Sequence, residues 1–304
     1  MQDKIGIIIL NYNGLTDTRN CLQSLSKIKK NSFTEQLFVI DYSSNSLEAD
    51  ILRKEFPKTT VIRKERNLGF AGGNNIGVKK ALDWGADYVL LLNNDTVVSD
   101  DFLSNLYAYL KKHPKVGCVS PKIYFARGYE FHKKRYKQTE LGKVIWYAGG
   151  IIDWSNMYAS HRGVDEVDRG QFDTVVDTDF ISGCCVLVRR KLFKDLGLLN
   201  EKLFLYWEDN DFSIRAKHAG WKLRYVPNAY IWHKNAGSSG VGSEVQDYFM
   251  QRNRLWFGFT YAPLRTKLAL VKQSLLQLGR SSNWSRKGIV DFYLRRMGRG
   301  SWDK

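Results

Sequence analysis

One group of residues with the chemistry of a cation site follows an apolar run that is predicted to be a strand. The run covers 88–92, and Asn93, Asn94 and Asp95 come directly after it. Mg²⁺ and Mn²⁺ prefer oxygen ligands, with substrate phosphates filling further positions. Asp95 is therefore a candidate cation ligand, and Asn93 could contact the ion through water or hold a sugar hydroxyl. An Asx turn that caps the next helix is the open alternative.

A second group is acidic and lies at the predicted start of a helix over 209–219. Glu208, Asp209 and Asp211 place three carboxylates within four residues, where they repel one another. A carboxylate in a cleft is a common general base, which contributes about 10²–10⁴ to a rate. The alternative is structural, because acidic residues in a first turn complement the helix dipole and Asp211 can pair with Arg215.

His233 is the third candidate, at the end of a predicted strand over 230–232. A neutral imidazole is a good metal ligand. In the Gly/Ser loop that follows, 237–242, the backbone of residues 237–240 could come close to phosphate oxygens. A histidine that only packs in the structure is the alternative.

A glycine-rich segment at 67–75 reads Asn-Leu-Gly-Phe-Ala-Gly-Gly-Asn-Asn. It matches neither G-x-G-x-x-G nor the P-loop pattern, which removes the main support for hydride transfer and for ATP hydrolysis. Gly72 and Gly73, at the start of a predicted helix over 72–84, could admit a diphosphate or a sugar. A tight turn between strand and helix explains them equally well.

These residues need a scaffold, and strands alternate with helices through the first half of the chain. The predicted strands are 5–10, 37–40, 60–63 and 88–92, and the predicted helices are 15–30, 47–56, 72–84 and 101–112. Continuous apolar strands in this alternation predict a parallel α/β sheet that binds ligands at the carboxyl ends of its strands. Polar residues stand at those ends, including Asn11, Asn13, Asp41 and Arg66.

The second half has a different rhythm, which predicts a partly antiparallel region. Its short predicted strands are 116–119, 144–147, 175–180, 184–188, 223–226 and 230–232. A basic, irregular stretch at 126–143 is predicted to be a loop. A long aromatic helix is predicted over 244–260.

The end of the chain is basic and amphipathic. Residues 250–304 hold 12 Lys and Arg against two Asp, a net charge of +10 out of +16 for the whole chain. A helix is predicted after Pro263, and another over 288–298. The first has one apolar stripe, made of Leu264, Leu268, Val271, Leu275 and Leu278. This pattern fits an anionic membrane surface, or packing on the rest of the chain or on a second subunit.

Length and composition set the outer limits. The 304 residues are 43% hydrophobic and 26% charged, which is typical of globular proteins and excludes a disordered, collagenous or disulfide-stapled chain. Four cysteines are too few for a disulfide framework and indicate reduced thiols in the cytoplasm. We expect no signal peptide and no membrane span, because no apolar run is long enough. The positive charge would suit nucleic acid, but no nucleic-acid-binding motif accompanies it.

Eight segments taken together carry a family resemblance. They are I-I-I-L-N-Y-N-G (7–14), V-I-D-Y-S-S-N-S (39–46), R-N-L-G-F-A-G-G-N-N-I-G (66–77), L-L-N-N-D (91–95), I-S-G-C-C-V-L-V-R-R (181–190), Y-W-E-D-N-D-F (206–212), W-H-K-N-A-G-S-S (232–239) and Y-F-M-Q-R-N-R-L (248–255). In this order they resemble the motifs of family 2 glycosyltransferases of the GT-A fold, in particular the bacterial rhamnosyltransferase-like branch. The resemblance covers about 5–257.

The resemblance implies an inverting transfer of a sugar to a hydroxyl of a glycan or lipid-linked glycan in cell-surface polysaccharide synthesis. The implied donor is a nucleotide-diphosphate sugar, dTDP-rhamnose or a UDP-sugar. Asp209 is the implied general base, with Glu208 beside it, and Asp95 and His233 are the implied ligands of Mg²⁺ or Mn²⁺. The implied donor contacts are Asn11, Asn13, Asp41, Arg66, Gly72, Asn74, Asn93 and Asn94.

Two further residues, Gly183 and Trp207, are implied to shape the acceptor site. The chain departs from the family pattern at Asn93, where an aspartate normally begins the metal motif, and at Tyr42, where an asparagine is more usual. The first departure leaves the metal motif with one carboxylate, that of Asp95. The second leaves the choice between UDP and dTDP open.

The resemblance also divides the chain. A GT-A catalytic domain is expected over 1–260, with a nucleotide-sugar-binding half at 1–115 and an acceptor and catalytic half at 116–260. A basic helical tail is expected over 261–304, with membrane-surface binding and a homodimer as open expectations. We expect a cytoplasmic protein at the inner face of the plasma membrane, without a nucleic-acid partner. Two other functions stay open, a sugar nucleotidyltransferase and a non-enzymatic polyanion-binding protein.

Overall fold

The computed structural model describes residues 2–29, 32–235 and 242–302. Its strands are β1 (Asp3–Asn11), β2 (Phe33–Asp41), β3 (Thr60–Arg63), β4 (Tyr88–Asn93), β5 (Thr96–Val98), β6 (Val116–Phe125), β7 (Ile145–Tyr147), β8 (Gly150–Asp153), β9 (Tyr158–His161), β10 (Val176–Asp177), β11 (Cys185–Arg189) and β12 (Lys222–His233). Its α-helices are α1 (Leu15–Leu25), α2 (Leu47–Glu55), α3 (Gly69–Asp83), α4 (Phe102–Lys112), α5 (Arg190–Leu196), α6 (Glu208–His218), α7 (Glu244–Tyr261), α8 (Leu264–Arg280) and α9 (Asn283–Tyr293). The predicted loop 126–143 contains a short 3₁₀ helix, Lys133–Arg135.

A ten-stranded sheet forms the centre of the protein, in the order β10-β12-β6-β11-β4-β1-β2-β3, with β5 paired to β12 and β7 to β6. β1 runs parallel to β2 and β4, and β2 runs parallel to β3. Four isoleucines of β1 are fully buried because helices cover both faces of this part of the sheet. Helix α3 approaches β1 closely, since a Cβ atom on Gly77 would lie 2.2 Å from Cγ2 of Ile8.

The antiparallel part begins where β11 inserts between β4 and β6, antiparallel to both. β12 runs parallel to β6, and β5 pairs antiparallel with the end of β12. That pairing sets Thr96 opposite His233. A second, two-stranded sheet is formed by β8 and β9. The predicted α/β class, with a mostly parallel sheet and a smaller antiparallel part, is confirmed.

Two helix bounds differ from the prediction. α1 ends at Leu25 rather than at 30, because the hydroxyls of Ser24 and Ser26 donate to carbonyls three residues earlier and compete with helical bonding. α3 begins at Gly69, three residues before the predicted start. The side chain of Asn67 accepts a hydrogen bond of 2.8 Å from the Gly69 amide there. The glycine pair at 72–73 therefore lies within the first turns of the helix.

Two later elements also differ. β12 is one strand where a break at Pro227 was predicted, and a register shift between Val226 and Tyr230 takes the proline out of regular pairing. α9 covers 283–293 instead of 288–298, because the hydroxyl of Ser282 accepts a hydrogen bond from Ser285 N at its start. Gly288 lies inside this helix, where a Cβ atom would come within 2.5 Å of the Tyr248 carbonyl oxygen.

The C-terminal helices pack on one another and on the rest of the chain. The Tyr248 hydroxyl donates to the Asp291 carboxylate, which joins α7 to α9. The Arg252 guanidinium donates to the Gly298 carbonyl at 2.7 Å. Part of the basic tail is thus bound to the main body of the protein.

Within 2–29, 32–235 and 242–302, no helix has the length and apolar character that a membrane span requires. The four cysteines are buried free thiols.

Candidate active site

The predicted metal ligands lie together at the carboxyl end of the sheet. Asp95 follows β4, and His233 ends β12, which β5 brings alongside. The Oδ1 atom of Asp95 lies 3.1 Å from Nε2 of His233, and both side chains are buried. Burial would raise the pKa of Asp95, but the contact with His233, a backbone hydrogen bond and the charge of Lys234 together hold this pKa below its usual value.

The Asp95–His233 pair fits a divalent cation. The Nδ1 atom of His233 is buried and has no hydrogen-bond partner among the residues that the structure describes. A carboxylate oxygen and an imidazole nitrogen are both donors that Mn²⁺ accepts. No group of three potential His, Cys, Asp or Glu ligands occurs in the described part of the chain. Two protein ligands suit an ion that takes its other ligands from a diphosphate and water.

The acidic group at the start of α6 separates into members with different surroundings. Asp209 is partly exposed, and its Oδ2 atom accepts a hydrogen bond of 3.0 Å from the Gly183 amide. Apolar side chains, among them Phe70 and Ile181, line the space beside it. Burial raises the pKa of Asp209, while hydrogen bonds from Gly183 and Asn210 act in the opposite direction. A carboxylate with a raised pKa is a better proton acceptor than an ordinary one.

Glu208 and Asp211 are both buried. The Oε2 atom of Glu208 has no hydrogen-bond partner within the described ranges. Burial and the charges of Asp209 and Asp211 raise the pKa of Glu208 well above its usual value. Asp211 instead accepts hydrogen bonds from Arg215 at 2.9 Å and from Tyr261 at 2.6 Å. Asp211 thus anchors the helix, as the structural interpretation of the cluster predicted for this residue.

The two parts of the site meet at the start of β11. The Cys184 carbonyl accepts a hydrogen bond of 2.8 Å from the Asn93 amide, and the preceding residue, Gly183, binds Asp209. The metal-motif turn and the acidic helix are therefore joined through two consecutive residues. A Cβ atom on Gly183 would lie 3.1 Å from the Phe70 ring, so a side chain here would crowd the site.

The segment before α6 has an unusual backbone that the sequence analysis missed. Phe204, Tyr206 and Trp207 all have positive φ angles, from 66° to 71°. The side-chain amide of Asn253, on α7, donates to the carbonyls of residues 203, 205 and 206 at 2.8–2.9 Å. Arg252, which is fully buried, also donates to the carbonyl of residue 203. The motif at 248–255 contains both residues, but nothing in it indicates which backbone they hold.

Two residues that were predicted to contact the sugar donor, Asn11 and Asp41, already bind other side chains of the protein. The amide of Asn11 lies within 2.8 Å of Asp41, Ser43 and Glu48, and its oxygen accepts from Thr18. The carboxylate of Asp41 also forms an ion pair with the Arg63 guanidinium at 3.2 Å. Both Asn11 and Asp41 are fully buried. The two residues organise the ends of β1 and β2. Their direct contact with a nucleotide stays a prediction.

Other predicted donor residues lie around the same sheet edge. Asn13 is exposed with φ of 52°, and its side-chain oxygen binds Ser44. The Asn94 amide donates to Thr18 at 3.0 Å. Asn93 is half-buried at the end of β4, so a contact with the ion or donor through water stays open for it.

Arg66 precedes α3, and Gly72 and Asn74 lie in its first turns. Arg66 is exposed in the turn before the helix. Asn74 is buried and donates to the Phe70 carbonyl at 3.0 Å. Gly72 is buried as well, and a Cβ atom there would lie 2.6 Å from the Leu68 side chain. The prediction that Gly72 stands at the start of the helix is wrong. The helix begins at Gly69, and Gly72 lies inside it.

The predicted acceptor residue Trp207 lies in the core. Its side chain is 3% exposed, and its ring packs on Phe257 with centroids 4.9 Å apart. Its indole nitrogen is buried without a hydrogen-bond partner in the described chain. Contact between Trp207 and an acceptor stays a prediction. The predicted phosphate-binding glycines at 237–240 lie outside the described residues.

A protein family whose sequence model matches most of the chain accounts for this fold and this site. The model of glycosyltransferase like family 2 matches residues 3–258, and the chain belongs to this family. The match confirms the family that the eight motifs predicted.

Curated relatives are similar at low identity. An N-acetylglucosaminyl-diphospho-decaprenol L-rhamnosyltransferase of Mycobacterium tuberculosis is 23% identical over 94% of this chain and 97% of its own. The dTDP-rhamnosyl transferase RfbF of Shigella flexneri is 22% identical over 91% and 87%. The hexosyltransferase Agl10 of Haloferax volcanii is 26% identical over 71% of this chain, which spans 62% of that relative. The rhamnosyltransferase-like resemblance is thereby confirmed.

Solved glycosyltransferase structures share the fold. GalNAc-T7, crystallised with UDP, GalNAc and Mn²⁺, has a TM-score of 0.61 at 17% identity and covers 96% of this chain and 57% of its own. The mannosyltransferase PcManGT of Pyrobaculum calidifontis, in complex with GDP-Man and Mn²⁺, has a TM-score of 0.56 at 14% identity, covering 97% and 75%. The predicted GT-A fold is confirmed.

Proposed function

We propose that this protein transfers a sugar from a nucleotide-diphosphate donor to a hydroxyl of a glycan acceptor, with inversion at the anomeric carbon. The observation that carries the proposal is the junction at β11. The Cys184 carbonyl there binds the backbone amide of Asn93, two residues before Asp95, and the backbone amide of Gly183 binds Asp209. A donor diphosphate held near Asp95 and an acceptor held near Asp209 would then share one cleft.

Asp209 is the base in this proposal. Its Oδ2 atom is oriented by the Gly183 amide, and its raised pKa favours accepting a proton from the acceptor hydroxyl. As the proton moves to Asp209, the hydroxyl oxygen bonds to the anomeric carbon and the bond from that carbon to the diphosphate breaks. Attack from the face opposite the leaving group inverts the configuration, and a nucleoside diphosphate is released.

Asp95 and His233 would hold the divalent cation. When bound, Mn²⁺ or Mg²⁺ neutralises the charge that develops on the departing diphosphate. Mn²⁺ in the solved structures of GalNAc-T7 and PcManGT supports this kind of cofactor. Asn93 leaves the motif with one carboxylate, so we propose that the donor diphosphate supplies much of the cation's ligand set.

The rhamnosyltransferase relatives support dTDP-rhamnose as the first donor to examine, and UDP-sugars as the second. One relative is named for a diphospho-decaprenol acceptor, which supports a lipid-linked glycan acceptor here. The family match weighs against the nucleotidyltransferase and the non-enzymatic polyanion-binding functions. We propose action at the cytoplasmic face of a membrane.

The test is release of UDP or dTDP across a panel of donors, with Mn²⁺, Mg²⁺ or EDTA. We expect that one class of donor releases its nucleoside diphosphate and that this release requires a divalent cation. The product should have the inverted anomeric configuration. Release that is unchanged in EDTA would contradict the metal assignment. Failure of every donor both to bind and to react would contradict the proposed transfer.

A further inference from the structure

Helix α8 has its faces reversed relative to an ordinary surface helix. Toward the protein it places Thr266 and Ser274, both buried, beside Leu270. Thr266 donates to the Trp154 carbonyl at 3.0 Å, and Ser274 lies 2.7 Å from the Tyr293 hydroxyl. The outward side carries leucines instead. We call Leu264, Leu268, Leu275 and Leu276 the leucine edge, and they are 72%, 63%, 59% and 53% exposed.

The leucine edge explains the stripe in the sequence. Three residues of the predicted stripe, Leu264, Leu268 and Leu275, belong to the exposed edge, while Val271 and Leu278 are half-buried. A stripe of this kind normally faces the core. Here Thr266 and Ser274 occupy much of the inward face beside Leu270, so burial in the protein does not account for the four exposed leucines.

The charges around the leucine edge have one sign. α8 contains Arg265, Lys267, Lys272 and Arg280 and no acidic residue in its 17 positions. At 100° per residue, Arg265 and Lys272 project between Leu268 and Leu276 on the outward side. The one acidic residue of the described tail, Asp291, is buried and bound to Tyr248 and Ser301. Positive charge at the surface of α8 is thus uncompensated by carboxylates of the same helix.

We propose that α8 docks flat on an anionic lipid surface. The leucine edge enters the boundary between headgroups and acyl chains, and the neighbouring Arg and Lys side chains extend to the lipid phosphates. Both contributions favour binding, because apolar area leaves water and cations meet a negative surface potential. The proposal rests on the surface of α8 and is independent of the proposed reaction.

A second copy of this chain fits the leucine edge less well. Docking two α8 helices would bring together two surfaces that carry the same positive charge, without a carboxylate on either helix to offset it. Nucleic acid would satisfy the charges but would leave the four leucines in water. A lipid surface matches the charge and the apolar side chains at once.

Docking would also fix the height of the active site above the lipid. α8 follows α7 after a short turn at Pro263, and Asn253 on α7 holds the backbone just before Trp207. The same helix α7 is joined to α9 through Tyr248 and Asp291. Given the proposed function, this arrangement would present Asp209 at a constant distance to an acceptor anchored in the membrane.

The test is sedimentation of the full chain with vesicles, which needs neither donor nor acceptor. Vesicles of phosphatidylcholine with about 30% phosphatidylglycerol are compared with pure phosphatidylcholine at about 150 mM salt. We expect binding to the anionic vesicles that falls when salt is raised. The double variant Leu268→Ser/Leu275→Ser is expected to bind at least about tenfold more weakly. Arg265→Gln/Lys272→Gln is expected to weaken only binding to the anionic vesicles.

The matched control is Leu47→Ser/Val164→Ser, which changes two exposed apolar residues outside α8. It should bind like the unmodified chain, and thermal melting should show that all variants remain folded. Failure of the unmodified chain to bind anionic vesicles would overturn the proposal. Equal binding by Leu268→Ser/Leu275→Ser would also overturn it. A dimer in sedimentation velocity that this double variant dissociates, without vesicle binding, would assign the leucine edge to a second copy instead.

Discussion

The Gly183 amide lies 3.0 Å from Oδ2 of Asp209 and donates a hydrogen bond to it. Gly183 immediately precedes Cys184, whose carbonyl holds the turn of the metal motif through the Asn93 amide. A displacement of β11 would therefore move both ends of the proposed reaction together. This coupling is the basis for treating Asp95 and Asp209 as parts of one site.

Asp209→Asn should abolish transfer while leaving donor binding intact. The carboxamide keeps the size of the side chain but removes the proton acceptor, which is expected to reduce kcat by about 10²–10⁴. Donor-dependent turnover and nucleotide affinity measure the two effects separately. The control Asp195→Asn changes an exposed acidic residue on α5 and should turn over normally. Near-normal turnover by Asp209→Asn would remove Asp209 from the role of base.

The pH dependence of kcat/KM should report the surroundings of Asp209. Burial raises its pKa above the ordinary value of 3.8, and the base works only when deprotonated. Activity should therefore fall as the pH decreases through a midpoint above 3.8. A steady-state profile of the unmodified enzyme measures this midpoint. A midpoint at or below the ordinary value would show that another group limits the reaction.

Asp95→Asn should weaken nucleotide binding that depends on the metal. The substitution removes the carboxylate that pairs with His233 and would hold the cation. Titration with UDP and dTDP in Mn²⁺ should give the low affinity that the unmodified chain shows in EDTA. The exposed Asp100→Asn variant should retain the difference between Mn²⁺ and EDTA. Equal affinities for the unmodified chain in both conditions would refute the metal site.

Glu208→Gln should stabilise the protein increasingly as the pH rises. Burial, and the charges of Asp209 and Asp211, raise the pKa of Glu208, so the folded state binds more protons than the unfolded state above the ordinary value of 4.5. The free energy of unfolding that Glu208 contributes is highest below that value and is lost as the pH rises toward the raised pKa. Thermal melts of both proteins should show a gap in Tm that widens with pH.

The control for this comparison is Glu65→Gln, at an exposed position in the turn after β3. Its Tm should follow that of the unmodified chain at every pH. A gap for Glu208→Gln that stays constant or narrows with increasing pH would mean that Glu208 is not protonated more readily in the folded state.

Asn253→Ala should destabilise the fold and disturb the acidic helix. The carbonyls of residues 205 and 206 lose their Asn253 donor, while that of residue 203 keeps Arg252, and a buried polar group left unsatisfied costs about 1–3 kcal/mol. Chemical denaturation measures the loss, and Asn283→Ala at an exposed position of α9 is the control. Because the held backbone leads into Trp207, kcat should fall more than nucleotide affinity. Unchanged kcat in a folded Asn253→Ala protein would limit Asn253 to a purely structural role.

The local pattern was sufficient for the parallel half of the fold. The runs at 5–10 and 88–92 are apolar without interruption, and this property alone makes buried parallel strands the favoured structure. The helix bounds were less predictable, because single side chains decide them. Asn67 starts α3 at Gly69, and the serines at 24 and 26 end α1, through hydrogen bonds that compete with ordinary helical bonding.

The site was predictable as a set of residues but not as an arrangement. Asp95, Asp209 and His233 were named from strand ends, spacing and family resemblance. Their relation depends on the pairing of β5 with β12 and on β11 lying between β4 and β6, which are contacts between distant parts of the chain. Asn253 was missed for the same reason, since its partners lie about 50 positions earlier in the chain.

By itself, the sequence determined the family, the alternation of strands and helices, the positive tail and the residue types available for chemistry, because these properties are local or additive. Only the tertiary structure decided that Asn11 and Asp41 are occupied by protein partners and that Asp211 serves as an anchor. It also decided that α8 turns Leu268 and Leu275 outward. An amphipathic pattern gives a helix two different faces, but the surface on which the helix packs selects which face meets the solvent.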